Sequence, residues 1–424
     1  MSTKFIRPRG TEDIYYEYSQ KFQTLTTTFY KLAHMYGYSF IETPTIEHKE
    51  LFIRSVGSSD IVHKEFYDFV DKGDREIVLR PEGTAGVIRA VVENKMLDKY
   101  PHPLKFFYIE QMFRYERPQS GRLRQFHQFG VECISTNSYN DDVEMILMAT
   151  DIIKALGIKQ CELSINNIGN FQTRALWTKA LSEYFHKYEK DLTEDSLKRI
   201  DVNPLRILDD KIDGKKDFVK NAPAIDEFLT KEEVEYFDNI KNALDKLNIK
   251  YVVDKSMVRG LDYYTNFVFE INSTHEGLAG QPTLIGGGRY ANLVKELNGN
   301  IDAPSTGFAT GIERLIIACD LENKEWDSIE TVDTVVISLD QSTNLYVQQI
   351  LAELRKNNIS CTCNFSSNKI KNGFKLAETL KAKFVIIAGK KEFENNSIEI
   401  KNQITMEQKT IGLNEMISFI KKGK

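Results

Sequence analysis

The chain has 424 residues, enough for two to four domains, and its 41% hydrophobic and 28% charged content is that of a globular protein with a sizeable core. No apolar run approaches the ~18–20 residues of a membrane span, and the opening M-S-T-K-F-I-R-P-R-G has no apolar signal region, so no membrane partner and a cytoplasmic location are expected. A net charge of −5 excludes indiscriminate coating of nucleic acid, and the scattered cysteines Cys133, Cys161, Cys319, Cys361 and Cys363 read as reduced.

In chain order, Phe22, Leu25, Phe29, Leu32 and Tyr36 step by three and four and predict a helix over 15–36. A strand over 38–43 is closed by Pro44, and a second helix is expected over 46–56. Residues 66–70 and 76–79 read as a hairpin across Asp71-Lys72-Gly73-Asp74, followed by a helix over 83–97. Alternation on both sides of Pro118-Gln119-Ser120-Gly121 predicts another hairpin, then a helix near 141–156 and a strand near 160–166. Strands joined by turns favour a mainly antiparallel sheet with helices, an α+β body over 1–325. Residues 170–250 are rich in Lys, Asp and Glu and short of strand signals, which reads as an inserted helical subdomain. Strands resume at 250–253 and 265–272. The run Gly286-Gly287-Gly288 reads as a turn before a helix over 289–297, and 305–310 as a strand entering a helix at Gly311. Beyond a linker at 323–331, strands at 332–339, 359–363 and 384–388 alternate with helices at 343–356 and 369–381, the pattern of a small parallel-type α/β domain over 331–424. That domain carries 14 Lys/Arg against 9 Asp/Glu, a net of +5, and leaves the rest at −10. Such asymmetry suggests a localised polyanion site, although a lysine-rich solubilising surface gives the same count.

Chemistry concentrates in a few segments. Residues 113–132 read F-R-Y-E-R-P-Q-S-G-R-L-R-Q-F-H-Q-F-G-V-E and place Arg114, Arg117, Arg122 and Arg124 beside Glu116, Glu132, Gln125, Gln128 and Phe126. Guanidinium forks bind phosphate bidentately and a flat ring stacks on a base, so this surface suits a nucleoside polyphosphate; a charged edge strand is the plainer reading. In Arg80-Pro81-Glu82-Gly83-Thr84, Glu82 suits a substrate ammonium with Thr84 beside it, or the two cap a helix. Arg259-Gly260-Leu261-Asp262-Tyr263-Tyr264 offers a cation for a phosphoryl group and two tyrosines for a small polar ligand, though adjacent strand residues face opposite sides and one tyrosine could be plain core. Gly286-Gly287-Gly288-Arg289-Tyr290 allows close backbone approach. In Gly307-Phe308-Ala309-Thr310-Gly311-Ile312-Glu313-Arg314, Arg314 sits in a helix's first turn, where a cation opposes the dipole and suits an anionic partner. Gly389-Lys390-Lys391 is not a P-loop, and the seven histidines lack zinc-site spacing.

Together these segments resemble the class II aminoacyl-tRNA synthetases, and within them the histidyl-tRNA synthetase family, across essentially the whole chain. Thr43-Pro44 is similar to motif 1, residues 113–132 to motif 2 and residues 307–314 to motif 3; R-P-E-G-T at 80–84, R-G-L-D-Y-Y at 259–264, G-G-G-R-Y at 286–290 and N-P-L-R-I-L-D at 203–209 carry the histidine-specific likeness. The resemblance implies a class II catalytic domain over 1–325 interrupted by a helical insertion at 170–250, and an anticodon-binding domain over 331–424. It implies ATP-dependent activation of L-histidine, then transfer to tRNA(His), by a homodimer, with ATP as substrate and Mg²⁺ whose ligands it does not name. Arg259 and Arg114 would be catalytic; Glu82, Gly83, Thr84, Arg114, Gln128, Glu132, Arg259, Tyr263 and Tyr264 would bind histidine; Arg114, Glu116, Arg122, Phe126 and Arg314 would bind ATP. The insertion would touch the acceptor arm. The alternative is a non-catalytic regulatory relative of the family, which typically lacks the last domain and erodes the arginines.

Overall fold

The computed structural model describes residues 5–56, 65–208, 210, 212–257, 263–297, 299, 302–326 and 332–423. The chain divides into two compact units, Met1–Trp326 and Asp327–Lys424.

The first unit is built on an eight-stranded sheet. Its strands are β1 (Ser39–Phe40), β5 (Leu104–Phe113), β6 (Gln125–Ile134), β7 (Cys161–Gly169), β8 (Val252–Val253), β9 (Tyr264–Ser273), β10 (Thr283–Tyr290) and β11 (Ser305–Gly311). The order is β1-β5-β6-β11-β10-β9-β7-β8. Only β1/β5 and β7/β8 run parallel, so the mainly antiparallel α+β reading holds. A small antiparallel sheet joins β2 (Ile46–His48), β3 (Tyr67–Val70) and β4 (Glu76–Leu79).

Period-two alternation assigns the two faces of the large sheet. Phe129, Val131 and Cys133 of β6 enter a core with α1 (Tyr16–Met35), while Phe126, Gln128 and Glu132 look the other way. The first face is closed also by Ile146, Ile152 and Leu156 on a helix spanning Tyr139–Leu156 and by Leu315 on a helix spanning Ile312–Leu321. The second face packs on a helix spanning Thr84–Glu93 through Ala85, Val87 and Ile88, and on Trp177 and Leu181 of a helix spanning Phe171–Phe185. Between β7 and β8 the chain is helical, from Phe171–Phe185 to Lys231–Lys246.

Three local expectations are corrected. Residues 46–56 are not one helix: Ile46–His48 pairs with β4 and only Lys49–Val56 is helical. The arginines 114, 117, 122 and 124 are not on strands; β5 stops at Phe113 and β6 starts at Gln125, and the link is closed by an Arg114 N–H bond to the Arg124 carbonyl and a Gln119–Arg122 bridge. Gly286-Gly287-Gly288 is no turn but the middle of β10, which runs on through Arg289 and Tyr290; the helix comes later, at Leu293–Glu296. Close packing explains the last: a Cβ on Gly287 would lie 2.3 Å from the Gly307 carbonyl of β11, and one on Gly288 2.4 Å from the Phe267 carbonyl of β9.

The second unit has a mixed sheet, β13-β12-β14-β15-β16, from β12 (Thr334–Ser338), β13 (Cys361–Cys363), β14 (Phe384–Ala388), β15 (Ser397–Asn402) and β16 (Gln408–Gly412). Its first three strands are parallel, as alternation with helices requires. The expected parallel-type domain is thus half of the sheet, because β15 and β16 add an antiparallel hairpin that buries Ile398 and Ile400. Helices cover both faces, Asn344–Lys356 and Met416–Lys422 on one and Ile370–Thr379 on the other.

Candidate active site

The second face of the large sheet carries a buried polar cluster. Glu132, 2% exposed, projects from β6 and is held at both oxygens: Thr84 Oγ1 donates to Oε1 at 2.7 Å and Tyr290 Oη to Oε2 at 2.7 Å. Tyr263 Oη lies 3.5 Å from Thr84 Oγ1. Three elements distant in sequence therefore meet on one carboxyl group, and Tyr263 joins them through Thr84. Burial pushes its pKa up to about 8, against the two hydroxyl donors that favour the charged form.

Glycines make the room. A Cβ on Gly307 would stand 2.3 Å from Glu132 Oε2, and one on Gly130 2.1 Å from the Tyr108 ring. Gly83 approaches the same ring, at 2.4 Å for a Cβ. Tyr108 is fully buried, its hydroxyl inside this cluster. Gln128 shares the face of β6 with Glu132, and its buried Oε1 has no hydrogen-bond partner among the described residues.

Glu82 is the helix cap that its position in the sequence allowed. Its Oε2 accepts from the Thr84 N–H at 2.7 Å and its Oε1 from the Ala85 N–H at 2.8 Å. Its pKa is raised by burial, which those backbone donors and the charge of Arg114 oppose. Tyr263 and Tyr264 are both buried, with ring centroids 4.8 Å apart; Tyr263 precedes β9, so strand alternation does not send the two rings to opposite sides. Tyr263 also meets the Tyr290 ring edge-on at 5.5 Å.

Beside this cluster lies a cationic lip. Arg114 Nε donates to the Pro81 carbonyl at 2.8 Å, and its guanidinium carbon is 5.4 Å from the centre of the Phe126 ring. Glu116, nearly buried, is paired with Arg122 and stands 4.0 Å from Arg114. Arg314 is fixed by the Thr283 carbonyl at 2.7 Å, Gln281 Oε1 at 2.7 Å and the Gly121 carbonyl at 3.1 Å. Its pKa is lowered, first by burial and then by the neighbouring charges of Arg122 and Arg114. Arg114, Arg122 and Arg314 repel one another here, Glu116, Glu65 and Glu270 offset part of that charge, and an anion seated among the guanidiniums would gain from all three.

Of the residues singled out in the sequence, the fold brings together Glu82, Gly83, Thr84, Arg114, Gln128, Glu132, Tyr263 and Tyr264 at the polar cluster and its rim. It places Glu116, Arg122, Phe126 and Arg314 along the cationic lip. Arg259 lies outside the described residues. Sequence reasoning missed Tyr290, Tyr108 and Gln281. It also missed Glu313, which accepts from the His127 N–H at 2.9 Å and pairs with His127 Nδ1 at 2.8 Å, tying the Ile312–Leu321 helix to β6. Tyr290 stood in the G-G-G-R-Y segment, whose strand character was the missing signal.

A family model described as histidyl-tRNA synthetase matches residues 10–315, and one described as an anticodon binding domain matches residues 333–423. The chain belongs to the histidyl-tRNA synthetase family. A histidine–tRNA ligase of Malacoplasma penetrans is 48% identical over 417 residues, covering 98% of this chain and 97% of its own. One of Staphylococcus aureus is 41% identical over 419 residues, covering 98% and 99%. The crystal structure of apo S. aureus histidyl-tRNA synthetase superposes with a TM-score of 0.84 at 37% identity, covering 98% of this chain and 100% of that one. These curated relatives, 41–48% identical along both units, are named as ligases, which supports the ligase over the regulatory alternative.

Proposed function

We propose that the polar cluster around Glu132 binds histidine and the adjoining arginine lip binds ATP. The chain is a class II histidine–tRNA ligase. In its first step a histidine carboxylate oxygen attacks the α-phosphorus of ATP, the bond to the β-phosphate oxygen breaks, and pyrophosphate leaves. In the second, a terminal ribose hydroxyl of tRNA(His) attacks the histidyl carbonyl and AMP leaves.

The observation that carries the assignment is the doubly held, buried Glu132. Imidazole presents an N–H and an acceptor nitrogen separated by one ring carbon, and a carboxylate at a fixed place accepts from the first. A pocket built of such groups rejects ligands that leave them unpaired. Tyr263 and Tyr264 wall the ring, and Gln128, with its open Oε1, faces the amino-acid side. Thr84 and Gly83 position the floor, and Glu82 serves the ammonium through the charge it leaves at the helix start, since both its oxygens already accept from backbone.

On the nucleotide side, Phe126 offers a face for adenine, Glu116 an acceptor for its amino group, and Arg122 and Arg314 hold the outer phosphates. Arg114, fixed against Pro81 and facing both halves, stabilises charge at the α-phosphate; Arg259, by its place in the sequence, is assigned the other side of it. Catalysis is then mainly positioning and electrostatics. Mg²⁺ accompanies ATP as a hard cation held largely by phosphate oxygens. No cluster of three or more acidic, His or Cys residues suited to a metal occurs among the described residues; Glu270, whose charge acts on Arg314, is an acid at that end.

The second unit binds the anticodon arm of the tRNA, the helices between β7 and β8 reach its acceptor arm, and two chains pair through the region of Thr43-Pro44, where Phe40, Ile46, Phe69 and Val70 are exposed. The protein works in the cytoplasm; no helix among the described residues is long and apolar enough to cross a membrane. Exchange of labelled pyrophosphate into ATP tests the reading. Histidine should support exchange at saturating ATP; exchange supported by another amino acid and not by histidine would refute it.

A further inference from the structure

The unit formed by β7 and the helix Phe171–Phe185 reaches the tyrosine pair from outside the pocket. β7 ends opposite Asn266, two residues short of Tyr264, with a register shift between Asn167 and Gly169. Arg174, one turn into the helix, supplies a donor: its Nη1 lies 2.6 Å from the Tyr264 carbonyl oxygen. A charged donor makes this a strong hydrogen bond. The guanidinium carbon also sits 5.2 Å from the centre of the Phe171 ring, which limits where it can go.

The base of that helix is itself fixed. Asn170 caps it, accepting from Gln172 N–H at 2.8 Å and Thr173 N–H at 2.9 Å. Buried Glu233, at the start of the Lys231–Lys246 helix, accepts from the Asn170 N–H at 2.6 Å and from Thr173 Oγ1 at 2.9 Å. Asn167 of β7 returns a bond to the Glu233 carbonyl at 3.0 Å. Arg174 thus stands on a rigid footing.

We propose that Arg174 is a positioning residue for histidine use: it holds the backbone of Tyr264, and through it the tyrosine pair, where the ligand needs them. The proposal rests on the reading that this pair walls the histidine pocket. Asn166 of β7 donates to the Met257 carbonyl at 3.0 Å, so the same unit also grips the chain on the approach to the tyrosines. Losing a charge-assisted contact to one backbone carbonyl is expected to shift histidine affinity by about 5- to 50-fold.

The test uses the full chain in pyrophosphate exchange, with KM for histidine, KM for ATP, kcat and the thermal unfolding midpoint measured together. Arg174→Ala should raise the histidine KM about tenfold while the ATP KM stays within about twofold and the midpoint within a few degrees. Arg174→Lys, which keeps a cation and a donor, should recover part of the loss. Phe171→Leu, which removes only the ring beside the guanidinium, should give a smaller rise of the same kind and keeps the test usable if Arg174→Ala does not fold. An unchanged histidine KM in Arg174→Ala overturns the proposal. So does a parallel loss of histidine KM, ATP KM and midpoint, which is the mark of a scaffold residue. Glu132→Gln separates the two levels of inference. If it raises the histidine KM and Arg174→Ala does not, only the role of Arg174 fails; if it leaves the histidine KM unchanged, the pocket reading fails and the role of Arg174 with it.

Discussion

Tyr290 donates its hydroxyl to Glu132 Oε2 at 2.7 Å from a strand two places away in the sheet, so the acid proposed to bind histidine is set by a residue of another strand. Removing that donor has a defined sign. The bond favours the charged carboxylate, so Tyr290→Phe should make Glu132 hold its proton to higher pH. The acidic limb of kcat/KM for histidine should move upward in Tyr290→Phe and vanish in Glu132→Gln, whose plateau should fall about 10- to 100-fold. A pH profile superposable on the parent's in Tyr290→Phe would show that Glu132 does not titrate in the activity.

The same group bears on stability. Its folded pKa of about 8 lies above the ordinary carboxyl value of 4.5, so between those limits the folded state holds a proton that the unfolded chain has lost. Raising the pH through that window therefore favours unfolding, and the effect is complete above the folded value. Thermal midpoints measured from pH 5 to 8 without ligand should fall less in Glu132→Gln than in the parent. Equal slopes would place the titration elsewhere.

Gly307→Ala is expected to be costly for two reasons. A Cβ there meets Glu132 Oε2 and the Val131 carbonyl, each at 2.3 Å, and the backbone contact cannot be relieved by a rotamer change. Overpacking of this kind costs about 1–3 kcal/mol. Denaturant unfolding should show that loss, and the histidine KM should rise as the carboxylate is pushed aside. A stable variant with parental histidine KM would mean that the two strands separate more easily than their register suggests.

Ending the chain after Trp326 should leave histidine-dependent pyrophosphate exchange near its parental rate, because the first unit has its own cores. Aminoacylation of tRNA(His) should fall at least about 100-fold, the scale of several lost phosphate and base contacts. Full charging by the shortened chain would remove the second unit from tRNA recognition.

Local patterns carried a good part of this fold. The α1 periodicity, the hairpin around Lys72-Gly73 and the alternation of the C-terminal domain all depend on neighbours in sequence, and they were legible. Gly286–Gly288 was not, because a glycine run looks like a turn until the Gly307 carbonyl of another strand is brought against it. Ile46–His48 failed likewise: three residues take strand form only because β4 lies alongside. At the site, charged clusters announced themselves, since arginine was scarce elsewhere. Tyr290, Gln281 and Glu313 did not, because their value lies in partners 158, 33 and 186 positions away.

Glu233 joins the first and last long helices between β7 and β8 at a single polar neck, with Asn167, Asn170 and Thr173 closing it. What lies beyond such a neck can change in length while the sheet keeps its register, provided the neck and the side chains that pack on the sheet, Trp177 and Leu181 among them, survive. Arg174 sits just past the neck, so a chimera that exchanges the helices should place its junctions beyond Phe185 and before Glu233 if it is to keep its amino-acid preference.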